Sequence, residues 1–200
     1  DYFSSLDKRI LVVALLLSGI GLLAINTATA ASAANKSYLI TQVGGIAVGL
    51  VIVFILSKID YAFLGSFSVP IVVICSAVLF LTSFLGDYAG GNTNWLDLGF
   101  VRLQPSEFAK IAFVLTFSTH VSRVSDSLNR IRTLLLLGLH FLAYFVPIVL
   151  QGDFGTALVY IGILIVVLYL AGVQYRYFIF AGVLIVAAFP VLWNFILKDY

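Results

Sequence analysis

The sequence predicts an all-α, polytopic membrane helix bundle of about seven transmembrane segments, organised as a single membrane domain over 1–200, and three observations predict it. Of 200 residues, 62% are hydrophobic and only 10% charged, whereas soluble domains carry charge at about a quarter of their positions. Mean hydropathy is +1.13. Seven apolar runs approach the roughly 20 residues that a hydrocarbon core of about 30 Å requires.

The runs cover 10–29, 38–56, 67–85, 106–121, 133–150, 154–172 and 177–197. The first follows Lys8 and Arg9, as in a signal peptide, but it is longer than such an apolar region, and the runs after it argue for a retained span. A stretch rich in small residues, 28–34, reads as a turn into the second run. That run holds Gly44, Gly45 and Gly49, and the 45–49 spacing lets helices approach closely. The third encloses Cys75. The fourth has the weakest apolar signal because it carries Glu107, Lys110 and His120. The fifth follows an arginine-bearing loop, 122–132, and the sixth opens on Gln151-Gly152-Asp153. Asp1 in place of Met, and an apolar run ending abruptly at Lys198, Asp199 and Tyr200, lead us to expect a fragment.

Flanking charge sets the expected orientation, because cytoplasmic loops retain Lys and Arg. With the N-terminus inside, Lys8, Arg9, Lys58, Arg123, Arg130, Arg132 and Arg176 are cytoplasmic, against Lys36, Arg102 and Lys198 outside. The loop 86–105, the turn 151–153 and the C-terminal stub then share the external face.

Composition also excludes function classes. A formal charge of +2, scattered along the chain, makes no nucleic-acid groove. The lone Cys75 offers neither a disulfide nor a thiolate cluster. Two histidines, His120 and His140, do not suggest a zinc site, and no metal-ligand set is expected. Nucleotide-binding, zinc-hydrolase and esterase motifs are missing. Any reaction must therefore use an already activated substrate.

The informative stretch is 90–110. It is polar and glycine-bearing, then abruptly helical. Pro105 suits a first helical turn, and Glu107 complements the positive end of that helix dipole. Glu107 and Lys110 are three residues apart and share a helix face. A structural ion pair is one reading; a polar pathway is the other, since ionisable groups in a span mark cavities by default. Arg102, Trp95 and Asp97 crowd the same segment. Trp95 is either an interfacial anchor or a flat face for a sugar ring. Asp153 suits an N-cap or a ligand site. Two helix N-termini on one face, with Arg102 nearby, would suit a lipid diphosphate.

The run Trp95-Leu96-Asp97-Leu98-Gly99 followed by Arg102-Leu103-Gln104-Pro105-Ser106-Glu107-Phe108-Ala109-Lys110 resembles the signature of the shape, elongation, division and sporulation (SEDS) family. Gly152-Asp153-Phe154-Gly155-Thr156 resembles its second motif, with Gly152 where the family has proline and Phe154 where it has leucine. A glycine there is expected to loosen the turn that aims Asp153. The stretch from Phe189 to Tyr200 resembles the RodA branch more than the FtsW branch. The resemblance implies the N-terminal part of a fold of about ten spans. It implies a glycosyltransferase of the bacterial cytoplasmic membrane that polymerises lipid II, an undecaprenyl-diphosphate disaccharide pentapeptide, for cell elongation and shape. Class B penicillin-binding protein is the implied partner.

It also implies that the family's essential Asp lies beyond Tyr200, so the fragment by itself is expected to be inactive. Within the chain, Glu107 and Lys110 are the assisting catalytic candidates, and Trp95, Asp97, Arg102, Gln104, Ser106 and Asp153 the substrate-binding ones. The cofactor is undetermined: no dedicated cage is present, and a divalent cation can bridge diphosphate oxygens to a carboxylate. Two other readings stand open, a flippase for a lipid-linked precursor and a membrane scaffold.

Overall fold

A computed structural model describes residues 8–32, 34–89, 91–97, 99 and 102–192. Its helices are α1 (Lys8–Thr29), α2 (Asn35–Leu56), α3 (Tyr61–Ser66), α4 (Ser68–Leu85), α5 (Pro105–Arg123), α6 (Ile131–Leu150), α7 (Phe154–Leu170) and α8 (Tyr175–Leu192). Three short strands, β1 (Asp87–Ala89), β2 (Asn92–Asp97) and β3 (Arg102–Leu103), lie between α4 and α5. The seven long helices fall on the seven apolar runs, and the all-α membrane class holds. Four of them, α1, α2, α4 and α6, are long and apolar enough to cross a membrane by length and composition, and α7 is a shorter apolar helix. Two features were not expected: α3, and the strands inside the 86–105 loop. The resemblance seen over 189–200 lies outside the described residues from 193 onward.

Contacts divide the chain into two compact units, 1–60 and 61–200. In the first, α1 and α2 pack together and bury no residue of either helix. Leu16, Leu17, Leu23, Ile40 and Val48 all point outward. Their few hydroxyls bond back into their own helix, as Ser18 Oγ does to the Ala14 carbonyl at 2.8 Å. A helix with apolar side chains all round and internally satisfied backbone is suited to hydrocarbon rather than water.

In the second unit, α4, α5, α6 and α7 enclose the core, where Leu79, Phe113, Phe117, Tyr144, Ile148 and Tyr160 are fully buried. Phe113 is its centre: its ring lies 5.0 Å from Phe117 and 5.2 Å from both Tyr144 and Tyr160. Such tilted aromatic contacts add about 0.5–1.5 kcal/mol each beyond area burial. Gly65 lets α3 meet α5, because a Cβ there would lie 2.9 Å from Thr119 Oγ1. The sheet order is β1-β2-β3, antiparallel throughout.

Candidate functional site

Residues 86–105 leave the bundle and return to it through two reversals. Gly86 ends α4, and its N–H donates to the Thr82 carbonyl at 2.9 Å. Gly91 turns β1 into β2 with φ +95°, and Gly99 turns β2 toward β3 with φ +85°, left-handed conformations that favour glycine. Asp97 Oδ1 accepts from the Gly99 N–H at 2.7 Å, which closes that second turn. β3 then delivers the chain to Gln104, the N-cap residue of α5, and Pro105 occupies the first turn.

Asp97 and Arg102 are direct cross-strand partners. Arg102 Nε donates to Asp97 Oδ2 at 3.4 Å, and both side chains remain about half exposed. One turn into α5, Lys110 Nζ donates to Glu107 Oε1 at 2.7 Å; Lys110 is the less exposed of the two. Trp95, half-buried on β2, stands opposite Asp87 of β1. Ser106 is completely buried, its carbonyl accepts from the Tyr160 hydroxyl at 3.1 Å, and its own Oγ has no partner among the described residues.

Asp153 is where the two segments meet. It precedes α7 and caps it: Oδ1 accepts from the Thr156 N–H at 3.0 Å. Oδ2 accepts from the Thr156 hydroxyl at 2.9 Å, from Asn94 Nδ2 at 2.6 Å and from Gln104 Nε2 at 2.8 Å. Burial pushes this carboxyl's pKa up, but the bonds from the Thr156 backbone, Asn94, the Thr156 hydroxyl and Gln104 outweigh it and hold the group below its ordinary value. Gln151 adds a second tie, its Nε2 donating to the Leu79 carbonyl at 2.7 Å while its own carbonyl accepts from the Thr93 N–H at 3.0 Å.

The structure thus brings Gln104 and Asp153 into contact, pairs Asp97 with Arg102 and Glu107 with Lys110, and places Trp95 and Ser106 in the same neighbourhood without a bond to any of them. Asn94, Thr156 and Gln151 were not anticipated. Thr156 had a signal, since it stands three residues after a capping Asp. The two amide residues had none, because their partners are distant in sequence. Gly152 takes φ +77° in the turn, a conformation that a proline, fixed near −65°, cannot adopt. Among the described residues no group of three or more His, Cys, Asp or Glu is arranged to hold a metal ion.

Comparison with known proteins gives a consistent picture. The family model described as cell cycle protein, FtsW/RodA/SpoVE, matches residues 7–200. The chain is 33% identical over 162 residues to peptidoglycan glycosyltransferase MrdB of Escherichia coli (strain K12), covering 80% of this chain and 43% of that protein. It is 29% identical over 195 residues to stage V sporulation protein E of Bacillus subtilis (strain 168), covering 93% and 53%. The chain therefore spans about half the length of the curated relatives it matches. Among solved structures, the rod shape determining protein RodA of Thermus thermophilus superposes with a TM-score of 0.74 at 22% identity, over 88% of this chain and 56% of that one. A chain from a structure of a peptidoglycan synthase complex, titled for the coordination of polymerization and crosslinking, superposes with a TM-score of 0.69 at 24% identity, over 90% and 55%.

Proposed function

The chain belongs to the FtsW/RodA/SpoVE (SEDS) family of cell cycle proteins and is a multi-pass protein of the bacterial inner membrane, and from that premise we propose that it is the N-terminal part of a peptidoglycan glycosyltransferase. In this reading the whole protein polymerises lipid II at the outer face of the membrane for cell elongation and shape, beside a class B penicillin-binding protein that crosslinks the product.

The observation that carries the reading is the pair of bonds from Asn94 and Gln104 to Asp153. Residues 49 and 59 positions apart become one polar platform at the start of two helices. Arg102 lies on β3 two residues before Gln104, and Lys110 on α5 six residues after it. Each is held by a single carboxylate; the Arg102–Asp97 pair is exposed, and such pairs are worth about 0–1 kcal/mol, while Lys110 is partly covered beside an exposed Glu107. A diphosphate can therefore compete for Arg102 at little cost. An apolar groove of about 260 Å³ lies between α4, the strands and α5, lined by Ile74, Val78, Leu96, Leu103 and Phe108, on the strand face opposite Asp97 and Arg102. Such a groove suits a lipid chain.

The reaction transfers a glycan from its lipid diphosphate to the sugar 4-hydroxyl of another lipid II. Arg102 and Lys110 stabilise charge on the departing diphosphate, Glu107 orients Lys110 or assists proton transfer, and Trp95 supports the glycan. Asp97 orients Arg102. Ser106 and Gln104 shape the start of α5, and Asp153 fixes the platform. The resemblance puts the main proton-accepting carboxylate after residue 200. Any divalent cation would be held chiefly by substrate phosphates.

Full-length protein incubated with lipid II should form glycan polymer. Arg102→Ala and Lys110→Ala should each reduce it at least tenfold, and Asp97→Ala should reduce it less than Arg102→Ala. Undiminished polymerisation by both cation variants rejects the assignment, and lipid movement without polymer favours the flippase reading.

A further inference from the structure

His120 on α5 and His140 on α6 approach with their Nδ1 atoms 3.1 Å apart, rings stacked at a centroid distance of 5.3 Å. They are levelled by the helical hairpin: Arg130, in the connecting turn, is midway between 120 and 140, and also midway between Thr116 and Tyr144, which meet at 3.3 Å. The site described above uses none of these four residues. Imidazoles within membrane-spanning helices are expensive to keep and mark function by default.

Proton positions follow from a count of donors. Thr116 has one hydroxyl proton, and its shortest bond, 2.8 Å, runs to the Ala112 carbonyl one turn back, the usual back-bond of a helical threonine. Its oxygen is then an acceptor for its other neighbours, the Tyr144 hydroxyl and His140 Nε2 at 3.2 Å. With that back-bond in place, the tautomer that satisfies these contacts has His140 protonated on Nε2 and its Nδ1 bare. The Nδ1–Nδ1 contact is a hydrogen bond only if His120 supplies the proton from Nδ1. His120 Nε2 is then the one unprotonated ring nitrogen without a partner among the described residues.

We propose that the His120–His140 pair is a proton-binding site of capacity one within the α5–α6 hairpin. The first added proton, from water, goes to His120 Nε2 and leaves the ring-to-ring bond in place, now donated by a cation and therefore stronger. A second would have to occupy His140 Nδ1, setting two N–H groups against each other and two cations side by side. The pair lines a cavity of about 470 Å³ between α4, α5 and α6 whose polar residues include Ser68, Thr116 and Arg123 and whose remaining walls, Val69, Val73, Leu136 and Leu139 among them, are apolar. The titratable and charged groups around it are Arg123 on α5, Tyr144 on α6, Cys75 on α4 and Tyr160 on α7 beyond Tyr144, and Tyr61 of α3 in the groove on the other side of Arg123. Among the described residues that line the cavity or touch the pair, none is a carboxylate. Arg123, bonded to the Gly65 carbonyl at 3.0 Å, adds to the repulsion.

The inference is independent of the proposed enzymatic activity. It is tested on full-length protein with ¹⁵N-labelled histidine in nanodiscs, signals being assigned through His120→Asn and His140→Asn. At neutral pH, His120 should show the Nδ1–H tautomer and His140 the Nε2–H tautomer. Acidification should charge one ring per chain, not two, while the fold persists. Thr116→Val should abolish the His140 preference and Thr116→Ser retain it. Should the valine variant fail to fold, the unaltered protein's tautomers and proton count still decide. Two Nε2–H tautomers, or two rings charging independently in the folded protein, overturn the proposal.

Discussion

Asp153 is surrounded only by donors: the Thr156 N–H on one oxygen, and the Thr156 hydroxyl, Asn94 and Gln104 on the other. An asparagine at this position can keep the Thr156 N–H on its oxygen, but its amide then faces Asn94, Gln104 and the Thr156 hydroxyl, which must reverse their roles to meet two N–H groups and lose their charge-assisted bonds to a carboxylate. Buried donors left unpaired cost about 1–3 kcal/mol each. Asp153→Asn should therefore destabilise the protein by about 1–3 kcal/mol, read as a lowered thermal midpoint in detergent. The pH dependence has a definite sign. The folded state holds this carboxyl below its ordinary value, so its stabilisation is fully present above the unfolded value near 4. It is lost as pH falls through the folded value. The acid-induced fall in stability below about pH 4 should be shallower in Asp153→Asn than in the unaltered protein. The same slope in both would remove Asp153 from this role.

Among the elements, the strand segment depends most on a single position. A Cβ on Gly86 would lie 2.6 Å from the Thr82 carbonyl oxygen and closer still to that of Thr93, and both obstacles are backbone. Gly86→Ala must therefore displace β2 from the end of α4, with an overpacking cost of about 1–3 kcal/mol. Limited proteolysis should cut within 86–104 sooner in this variant, whereas Gly138→Ala, with open space around it, should leave the cleavage rate unchanged. The element scale also shows what a sequence can and cannot disclose. The seven long helices were legible as apolar runs, of which α1, α2, α4 and α6 have the length and composition of a membrane span, and α7 also because Asp153 caps it. α3 was not, since six residues make less than two helical turns and carry no periodicity. The strands were hidden by short length and by a polar stretch whose turns are made by Gly91 and Gly99. Candidate residues were legible by chemistry; their pairing was not. Asp97–Arg102 and Glu107–Lys110 are local and could be paired on spacing, but Asn94–Asp153 spans 59 residues and Gln151 reaches α4 through a backbone carbonyl. Such contacts exist only once helices have packed.

On the scale of the whole 61–200 unit, the catalytic reading rests on which side of the membrane the platform occupies. α5 has 19 residues and at 1.5 Å per residue is about 28 Å long, close to the hydrocarbon thickness. In our proposal α5 crosses the membrane, so its two ends face opposite sides. The strand segment sits at the N-terminal end, and the bond from the Thr93 N–H to the Gln151 carbonyl at 3.0 Å keeps the 151–153 turn beside it. At the other end lie Arg123, the 3-10 turn Ser125–Ser127 and Arg130. From arginine retention we propose that this end is cytoplasmic and the platform faces outward, the side on which glycan strands are assembled in our reading. Single cysteines test this directly in full-length protein with its other cysteines, Cys75 included, replaced. Positions 99 and 126 are both exposed. In intact cells with the outer membrane permeabilised where there is one, a membrane-impermeant maleimide should label Gly99→Cys and spare Asp126→Cys, which should react only after the inner membrane is opened. The reverse pattern would put the arginine-rich turn outside and Arg102 and Lys110 in the cytoplasm, and polymerisation at the external face would then have no site in this chain.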